Sequence, residues 1–517
     1  MNIFLYGPSG SGKSTVGKIL GGRLNIAWFD LDAEIEKNIG TSIETFFADK
    51  GEPAFREIES TVLDQLIRGN PPSVISLGGG ALLSDQNRQK AEKSGHVVVL
   101  SGSFETLLSR LTADEYVRPL IKADPRQRLT DLLARREAHY ASFGEPVLTD
   151  GLSPLEIGSQ LQIRLGRFRI SGMGRSYDVI IESRALDQLG EMLQQRLLHG
   201  PAALVCDCNV DPLYADRVLA SLQCAGIEVS KVTLPAGEEH KTIQTVADLW
   251  SGFLRAGVER NSVIIALGGG VTGDLTGFAA ATYLRGVPWV NVPTTLLAMV
   301  DSSLGGKTGA DLPQGKNLIG AFHAPSLVLS DPMTLATLPP SELRGGLSET
   351  LKHGVIADEV LFQQLKTKGW PQEIKAVTSL IRRAVAVKAA IIEADPYEKG
   401  LRQALNFGHT VGHGIETASD YRLSHGECVA IGMHIETRLA EKIGLAKQGL
   451  SDELGYTLST LGLPVSIPAD IDRDAIRKTM SLDKKRNRKE IHFALPEDIG
   501  KMHTGVVIEN WQDLIEL

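Results

Sequence analysis

Residues 2–15 read "NIFLYGPSGSGKST", an apolar run followed by a segment that matches the phosphate-binding pattern G-x-x-x-x-G-K-[S/T]. Glycines there let backbone N–H groups surround phosphates, the lysine neutralises their charge, and the serine hydroxyl can bind Mg²⁺. The pattern predicts a P-loop between a strand and a helix, and therefore binding of ATP with Mg²⁺. The predicted nucleotide contacts are Gly7, Gly10, Ser11, Gly12, Lys13, Ser14 and Thr15.

The surrounding text, over residues 1–165, alternates short apolar runs with longer amphipathic ones. "NIFLY", "IAWFD", "SVISL" and "HVVVL" are nearly continuous in apolar residues, which is typical of strands buried in a parallel sheet. Stretches such as "TVGKILGGRL" and "FREIESTVLDQLIRG" show helical periodicity. We therefore predict an α/β domain with helices on both faces of a parallel sheet.

The remainder of the chain predicts two more structural parts. Residues 166–174, within "LGRFRISGMGRSYDV", are rich in glycine and arginine and predict a linker. New strands follow at "YDVII", "ALVCD", "SKVTL", "SVIIALGGG" and "WVNVP", so residues 175–334 predict a second α/β part. From residue 335 to 517 helical patterns dominate, which predicts a mostly helical part.

Composition excludes several classes of protein. The 517 residues are 42% hydrophobic and 22% charged with a net charge of −8, which is typical of a soluble globular protein. The longest basic block, "DKKRNRK" at 483–489, argues against nucleic acid or membrane surfaces as partners. Apolar runs stay far below a membrane span, no leader is recognisable, and the cysteines lack zinc-site spacing. We expect a cytoplasmic enzyme.

Polar residues after the P-loop point to an acceptor for the phosphoryl group. "FDLDAEIE" contains Asp30 and Asp32 after the second strand, and "SLGGGA" places Gly78, Gly79 and Gly80 at a third strand end. Single arginines are most often solvated surface groups, but three recur in this context: Arg56, Arg118 and Arg136. Together and in this order, over about 160 residues, the motifs resemble shikimate kinase.

This resemblance implies how shikimate is held. Asp32, Arg56, the Gly78–Gly80 loop and Arg136 would bind it, with the arginines gripping its carboxylate. Asp32 would also orient the attacking hydroxyl, while Ser14 and Asp30 position Mg²⁺. Arg118 would lie on a lid and neutralise charge that develops during phosphoryl transfer.

A second glycine-rich strand end lies at 264–278, "IIALGGGVTGDLTGF". It satisfies G-x-G-x-x-G, but the acidic residue expected about 20 positions later is missing. This argues against a standard Rossmann half and leaves pyrophosphate binding at the helix start open.

Charged residues and histidines then appear within apolar helical text. Lysines near histidines indicate an interior anion pocket, although lysines that snorkel from an amphipathic face would explain any single one. In "QALNFGHTVGH" at 403–413, His409 and His413 stand four residues apart, and this spacing alone favours one shared zinc ion.

Over about 340 residues this constellation resembles 3-dehydroquinate synthase. The resemblance implies that Glu349, His409 and His425 bind the metal, Zn²⁺ or Co²⁺. It assigns His413 to substrate binding and proton transfer, and so overrules the shared-zinc interpretation. The implied reaction converts 3-deoxy-arabino-heptulosonate 7-phosphate to 3-dehydroquinate and phosphate, with NAD cycled rather than consumed.

The resemblance also implies the ligand contacts of this second enzyme, which is expected to form a homodimer. The substrate contacts would be Asp301, Lys307, Asn317, Lys352, Lys388, Arg402, Asn406, His413 and Lys484, of which Lys307, Lys352, Lys388 and His413 would be catalytic. Lys485 is the alternative to Lys484. The NAD contacts would be Glu238, Lys241, Gly269, Gly270, Val271, Thr272, Gly273, Asp274, Thr294, Thr295 and Lys316.

One alternative keeps the folds but changes the function. A metal- and NAD-dependent polyol dehydrogenase, fused to a nucleotide-sensing P-loop module, would carry the same glycine motifs. The many predicted phosphate-binding lysines argue against the dehydrogenase, since a neutral polyol needs none. Asp32, Arg56 and Arg136 argue against a sensor, which has no use for an acceptor site.

Overall fold

The computed structural model describes residues 1–113, 124–172, 174–486 and 491–517, except for the side chains of 482–486. The chain divides into two compact units, Met1–Leu165 and Gly166–Leu517. None of the helices in these described ranges combines the length and apolar character that crossing a membrane requires.

Unit 1 is built on a parallel sheet of five strands in the order β2-β3-β1-β4-β5. The strands are β1 (Asn2–Tyr6), β2 (Trp28–Asp30), β3 (Val74–Ser76), β4 (Gly95–Ser101) and β5 (Val147–Leu148). The helices are α1 (Lys13–Leu24), α2 (Leu31–Ile39), α3 (Ile43–Gly69), α4 (Asp85–Ser94), α5 (Phe104–Ala113), α6 (Pro125–Ala141) and α7 (Pro154–Leu165). The four strands predicted from the sequence are present, and β5 was not predicted.

Both faces of this sheet are covered, as the alternation along β1 shows. Phe4 and Tyr6 point into a core formed with α2, α3 and α4, whereas Ile3 and Leu5 point into a second core formed with α1 and α7. Successive side chains of a strand face opposite sides, so continuous apolar strands need helices on both sides. The prediction of a parallel sheet between two helical layers is confirmed.

Unit 2 contains a seven-stranded sheet in the order β6-β7-β14-β11-β10-β8-β9, parallel except where β6 pairs with β7. Its strands, with the hairpin β12–β13, are β6 (Arg167–Ile170), β7 (Tyr177–Ile181), β8 (His199–Asp207), β9 (Val229–Leu234), β10 (Ser262–Gly268), β11 (Trp289–Pro293), β12 (Lys307–Leu312), β13 (Gly315–Phe322) and β14 (Leu327–Ser330). The helices of this part are α8 (Leu189–Gln195), α9 (Asp216–Cys224), α10 (Ile243–Arg255) and α11 (Gly270–Thr282).

The linker predicted over 166–174 is wrong for its first half. Residues 167–170 form β6, the antiparallel edge strand of the unit 2 sheet, in register with Tyr177–Ile180. Phe168 and Ile170 are buried, while Arg167 and Arg169 lie on the opposite face of the strand and pair with Glu182 and Asp178. The arginines thus alternate with apolar residues, which is a strand pattern that the glycine and arginine content concealed.

The C-terminal part of unit 2 is mostly helical, as predicted, but also contains a β-hairpin. The helices are α12 (Pro340–Ala357), α13 (Glu359–Lys368), α14 (Ile374–Ala394), α15 (His409–Ala418), α16 (His425–Lys442), α17 (Leu450–Thr460), α18 (Arg473–Arg486) and α19 (Trp511–Leu514), and the hairpin is β15 (His492–Asp498) with β16 (Lys501–Val507). A shared core joins α15 and α16 to α17, α18 and this hairpin. That core supports the two helices on which the three histidines of interest lie.

Candidate active sites

The predicted P-loop lies between β1 and α1. Gly7, Gly10 and Gly12 have φ values of 129°, 80° and 86°, a region that residues with a Cβ rarely adopt. Lys13 is buried, and its Nζ donates to the carbonyl oxygens of Gly7 at 2.9 Å and Pro8 at 2.8 Å. The loop therefore holds the lysine over the start of the helix, where phosphates bind. Ser11 is buried in the loop, and Thr15 is exposed on the first turn of α1.

Ser14 and Asp30 come together at the same helix start. The Ser14 hydroxyl donates to Asp30 Oδ2 at 2.5 Å, and Asp30 Oδ1 accepts the backbone N–H of Asp32 at 3.1 Å. A hydroxyl and a carboxylate beside a phosphate-binding loop are the oxygen ligands that Mg²⁺ prefers. These residues fit a magnesium ion bound together with ATP.

The predicted shikimate residues converge on the Gly78–Gly80 loop, which follows β3. A Cβ atom at Gly78 would lie 2.9 Å from Asp32 Oδ1, and one at Gly80 would lie 2.9 Å from Arg56 Nη2 and 3.3 Å from Arg136 Nη2. Glycines at these positions leave space beside a carboxylate and two guanidinium groups. Arg118, by contrast, lies outside the described residues.

Sequence reasoning missed the residues that support this acceptor site. Glu59, buried on α3, accepts from Arg56 Nη1 at 2.7 Å, and burial raises its pKa although Arg56 opposes the shift. Tyr140 and Tyr6 both donate to the Gly79 carbonyl oxygen, at 2.8 and 3.3 Å. Glu59 follows Arg56 by three residues on one helix, a spacing that could have revealed the pair.

A cavity of about 640 Å³ in unit 2 collects eight of the nine predicted substrate contacts of the synthase site, two of its three predicted metal ligands and one predicted NAD contact. The predicted residues that line it are Asp274, Asp301, Lys307, Asn317, Lys352, Lys388, Arg402, Asn406, His409, His413 and His425. Lys484 belongs to α18, but its side chain lies outside the described part of the structure.

His409 and His425, the first residues of α15 and α16, line this cavity and meet Glu349 of α12 beside it. Glu349 Oε1 lies 3.6 Å from His409 Nε2 and 3.8 Å from His425 Nε2, and it accepts no hydrogen bond from any described residue. Ligand atoms about 2.1 Å from a tetrahedral zinc ion lie about 3.4 Å apart. The buried carboxylate oxygen and two imidazole nitrogens therefore fit a zinc ion with little movement.

The environment of the His409 side chain also suits a metal ligand. Burial, with the nearby Lys352 and two neighbouring histidines, lowers the pKa of His409 well below its usual value, which favours the neutral ring that a metal ligand requires. Its Nδ1 lies 3.2 Å from the Phe407 carbonyl oxygen, a contact that directs Nε2 toward Glu349. The structure also brings Asp301, Glu349 and His353 together as a second group with metal-binding atoms.

His413 occupies a different position. It is exposed, its ring centroid lies 5.3 Å from that of His409 and 6.0 Å from that of His425, and it groups with Glu416 and His425. The structure thus separates the i,i+4 pair, with His409 beside Glu349 and His413 at the open side of the cavity.

Two of the predicted lysines are interior cations. Lys352 and Lys388 are 1% and 6% exposed. Lys388 Nζ lies 2.6 Å from Asp301 Oδ1, and burial lowers the pKa of this lysine although Asp301 opposes the shift. Lys352 pairs with Glu349 and donates to the Leu405 carbonyl oxygen at 2.8 Å. Snorkelling therefore does not explain these two residues.

Lys307 and Arg402 surround Glu398, a residue that sequence reasoning missed. Lys307 is exposed and its Nζ lies 2.7 Å from Glu398 Oε2, while Asn406 donates to the other oxygen at 3.1 Å. Arg402 is buried and donates to the Pro396 carbonyl oxygen at 2.5 Å. Glu398 has a φ of 59°, and nothing in the sequence indicated that this loop residue would enter the cavity.

The predicted dinucleotide contacts lie around the start of α11, directly after the central strand β10. The N-cap is Gly269, whose lack of a side chain leaves the first helical N–H groups accessible to a phosphate. Asp274 pairs with Lys241 at 2.8 Å, and Lys241 also donates to Asn317 at 2.6 Å. The other predicted contacts on this side are Gly270, Val271, Thr272, Gly273, Thr294 and Thr295, next to β10 and β11. Lys316 and Glu238 approach each other to 3.9 Å.

The folds and sites define two classes of enzyme on one chain. Unit 1 is a P-loop kinase. Unit 2 is an α/β enzyme with a helical metal-binding part and with a glycine-rich helix start of the kind that binds dinucleotides. Residues 9–164 match the family model for shikimate kinase. Residues 231–345 and 346–486 match the models for the N-terminal and C-terminal parts of 3-dehydroquinate synthase. The chain belongs to the 3-dehydroquinate synthase family and carries a shikimate kinase domain as its first unit.

Individual proteins show the extent of the similarity. The 3-dehydroquinate synthase of Symbiobacterium thermophilum is 46% identical over 334 residues, which cover 63% of this chain and 92% of that protein. The structure of 2-epi-5-epi-valiolone synthase from Streptomyces hygroscopicus, with NAD⁺ and Zn²⁺ bound, is 31% identical with a TM-score of 0.60, covering 67% of this chain and 97% of the other. The structure of shikimate kinase from Acinetobacter baumannii is 35% identical with a TM-score of 0.30, covering 32% of this chain and 92% of the other.

Proposed function

We propose that this chain is a bifunctional enzyme of the shikimate pathway. Unit 1 phosphorylates shikimate with ATP, and unit 2 converts 3-deoxy-arabino-heptulosonate 7-phosphate to 3-dehydroquinate and phosphate. The observation that carries the proposal is that the described residues of each unit bring together the parts of a separate site. Unit 1 joins a phosphate-binding loop to an acceptor pocket, and unit 2 joins a metal-binding triad to a lysine-rich cavity.

In unit 1 each residue has a defined task. Lys13 neutralises the transferred phosphoryl group, and Ser14 with Asp30 holds Mg²⁺. Asp32 orients the attacking hydroxyl beside Gly78, and the guanidinium groups of Arg56 and Arg136 bind the acceptor's carboxylate. Arg118 completes this assignment as a lid residue that neutralises developing charge.

In unit 2 the bound metal and NAD supply Lewis acidity and reversible hydride transfer. Glu349, His409 and His425 hold the metal, which the proposal takes to be zinc or cobalt. Lys307, Arg402 and Asn406 bind the anionic groups of the substrate, and Asp301 and Asn317 bind its polar groups. Lys352, Lys388 and His413 provide cationic and proton-transferring groups at the reacting carbons, and Lys484 adds a further cation.

Sequence identity to known relatives favours 3-deoxy-arabino-heptulosonate 7-phosphate over other sugar phosphates as the substrate of unit 2. The related valiolone synthase shares 31% identity with this chain, whereas the 3-dehydroquinate synthase of S. thermophilum shares 46%. Two finer expectations rest on the resemblance alone: a homodimer formed through unit 2 and a location in the cytoplasm. Light scattering of the purified chain and fractionation of cells test them.

The proposal is tested by assaying both reactions on the full-length chain and on two variants. Lys13→Ala removes the buried phosphate-binding cation and should abolish shikimate phosphorylation while leaving dehydroquinate formation near the wild-type rate. Glu349→Gln should do the opposite, because it removes a metal ligand from the other unit. Loss of both activities in one folded variant, or absence of either activity from the wild-type enzyme, would contradict the proposal.

A further inference from the structure

Glu416 uses its two carboxylate oxygens on two different partners. It lies on α15, one turn beyond His413, and is 7% exposed. Its Oε1 accepts from Lys316 Nζ at 2.8 Å, and its Oε2 lies 3.5 Å from His425 Nδ1. The opposite nitrogen of the His425 ring, Nε2, faces Glu349 Oε1 at 3.8 Å. A single buried carboxylate thus touches the predicted metal ligand and a lysine of β13.

Lys316 is held on the dinucleotide side. Its ammonium lies 3.9 Å from Glu238 Oε1 and 4.4 Å from the centre of the Tyr421 ring. Glu238 and Lys316 are both among the NAD contacts that the resemblance to 3-dehydroquinate synthase implies. Lys316 is therefore surrounded by two carboxylates and an aromatic face, a setting that fixes the position of a flexible side chain.

We propose that Glu416 is a positioning residue that couples the metal site to the dinucleotide site. A carboxylate on the outer nitrogen of a ligating histidine fixes the tautomer and the ring orientation. The same carboxylate fixes Lys316, so a ligand that orders either partner also orders the other. Coupling of this kind is reciprocal: NAD should tighten zinc binding by the factor by which zinc tightens NAD binding. The inference rests on the proposed function of the two sites.

A purely structural role would look different, and the chain offers a matched comparison. Glu453 pairs with Lys366 at 2.7 Å, and both side chains are about one-third exposed. Neither residue lines the cavity. A partly exposed ion pair of this type contributes little to stability, and its loss should change the binding of neither ligand. Glu453→Gln is therefore the control for Glu416→Gln.

The experiment measures binding to the full-length chain, stripped of metal with a chelator. Zinc affinity is measured against a competing chromophoric chelator, with and without saturating NAD, and NAD affinity is measured by calorimetry, with and without zinc. In the wild type and in Glu453→Gln, NAD should tighten zinc about 5–150-fold. Glu416→Gln should weaken zinc about 10–100-fold without NAD and lose most of the NAD effect. Lys316→Met should keep zinc affinity without NAD but lose the NAD effect.

Several results would overturn the inference. One is a wild-type chain in which NAD and zinc bind without affecting each other. Another is a Glu416→Gln variant with unchanged zinc affinity and unchanged coupling. A loss of zinc as complete as that of His409→Ala would make Glu416 a ligand rather than a positioning residue. If Glu416→Gln does not fold, coupling retained in Lys316→Met refutes the inference, and coupling lost there supports it. Failure of the wild type to bind either ligand would instead contradict the proposed function.

Discussion

The histidine pair of α15 gives the sharpest test of the synthase site. His409→Ala removes one of the three proposed metal ligands, Glu349, His409 and His425, whereas His413→Ala leaves all three in place. The binding free energy of structural zinc sites with four ligands is about 10–16 kcal/mol, so one ligand contributes about 2.5–4 kcal/mol. We therefore expect His409→Ala to weaken zinc on the order of 10²–10³-fold.

His413→Ala should show the reverse pattern. Its ring lies 5.3 Å from that of His409 and faces the open side of the cavity, so zinc content should stay near the wild-type value. Turnover should fall by about 10²–10⁴-fold, the usual contribution of a general acid or base. Excess zinc should restore part of the activity of His409→Ala and none of that of His413→Ala.

Metal analysis of both purified variants, together with steady-state rates, decides between two arrangements. The structure also groups His413 and Glu416 of α15 with His425 of α16, which is an alternative set of ligands. Equal depletion of zinc in the two variants would show that the ion lies between His409 and His413, and depletion in His413→Ala alone would place it in the alternative group. The reasoning from the Glu349 geometry would then be refuted.

Three further predictions address the acceptor site, the unit boundary and the buried ion pair. Gly80→Ala places a Cβ 2.9 Å from a guanidinium nitrogen and should raise the KM for shikimate about 10–100-fold, whereas Gly22→Ala, with open space around it, should leave KM unchanged. Separate chains of residues 1–165 and 166–517 should each keep one activity, and insoluble, inactive halves would argue against independent units. Asp301→Asn leaves Lys388 without its counter-charge and should lower the free energy of unfolding of unit 2 by about 3 kcal/mol. Adding Lys388→Met removes the unpaired charge and should recover part of this stability. If the double variant is no more stable than Asp301→Asn, the ion pair is not the cause.

The fold was predictable wherever a local pattern is sufficient. Glycines at fixed spacing predict the P-loop, and continuous apolar runs predict the buried strands. The strand β6 was missed because its pattern is only four residues long and alternates arginine with apolar residues. The hairpins β12–β13 and β15–β16 were missed because pairing between neighbouring strands depends on tertiary context more than on composition.

The site residues also divide into those that local sequence spacing reveals and those that only the tertiary structure brings to the site. Glu416 could have been found, since it follows His409 by seven residues and His413 by three and so lies on their face of the helix. Glu398 could not have been found from the sequence, because it reaches the cavity from a loop. Nor could Glu436, a fully buried side chain of α16 whose carboxylate accepts the backbone N–H groups of Gly408 at 2.7 Å and Val411 at 3.0 Å. Only the packing of α16 against α15 brings that carboxylate to the start of the helix that carries the histidines.

The charges of the unit 2 cavity explain why its substrate must be an anion. Lys388 faces Asp301 and Lys307 faces Glu398, each through an ion pair shorter than 3 Å. Holding charges inside a protein is costly unless each has a partner, so a site that binds an anion must neutralise its own cations until the ligand arrives. A carboxylate or phosphate of the substrate can replace Glu398 as the partner of Lys307, because that lysine is half exposed and Glu398 lies on a loop. A neutral polyol offers no such exchange and would leave the pairs as they are. The cation-rich lining is therefore useful to a sugar-acid phosphate and of no benefit to a dehydrogenase of neutral polyols.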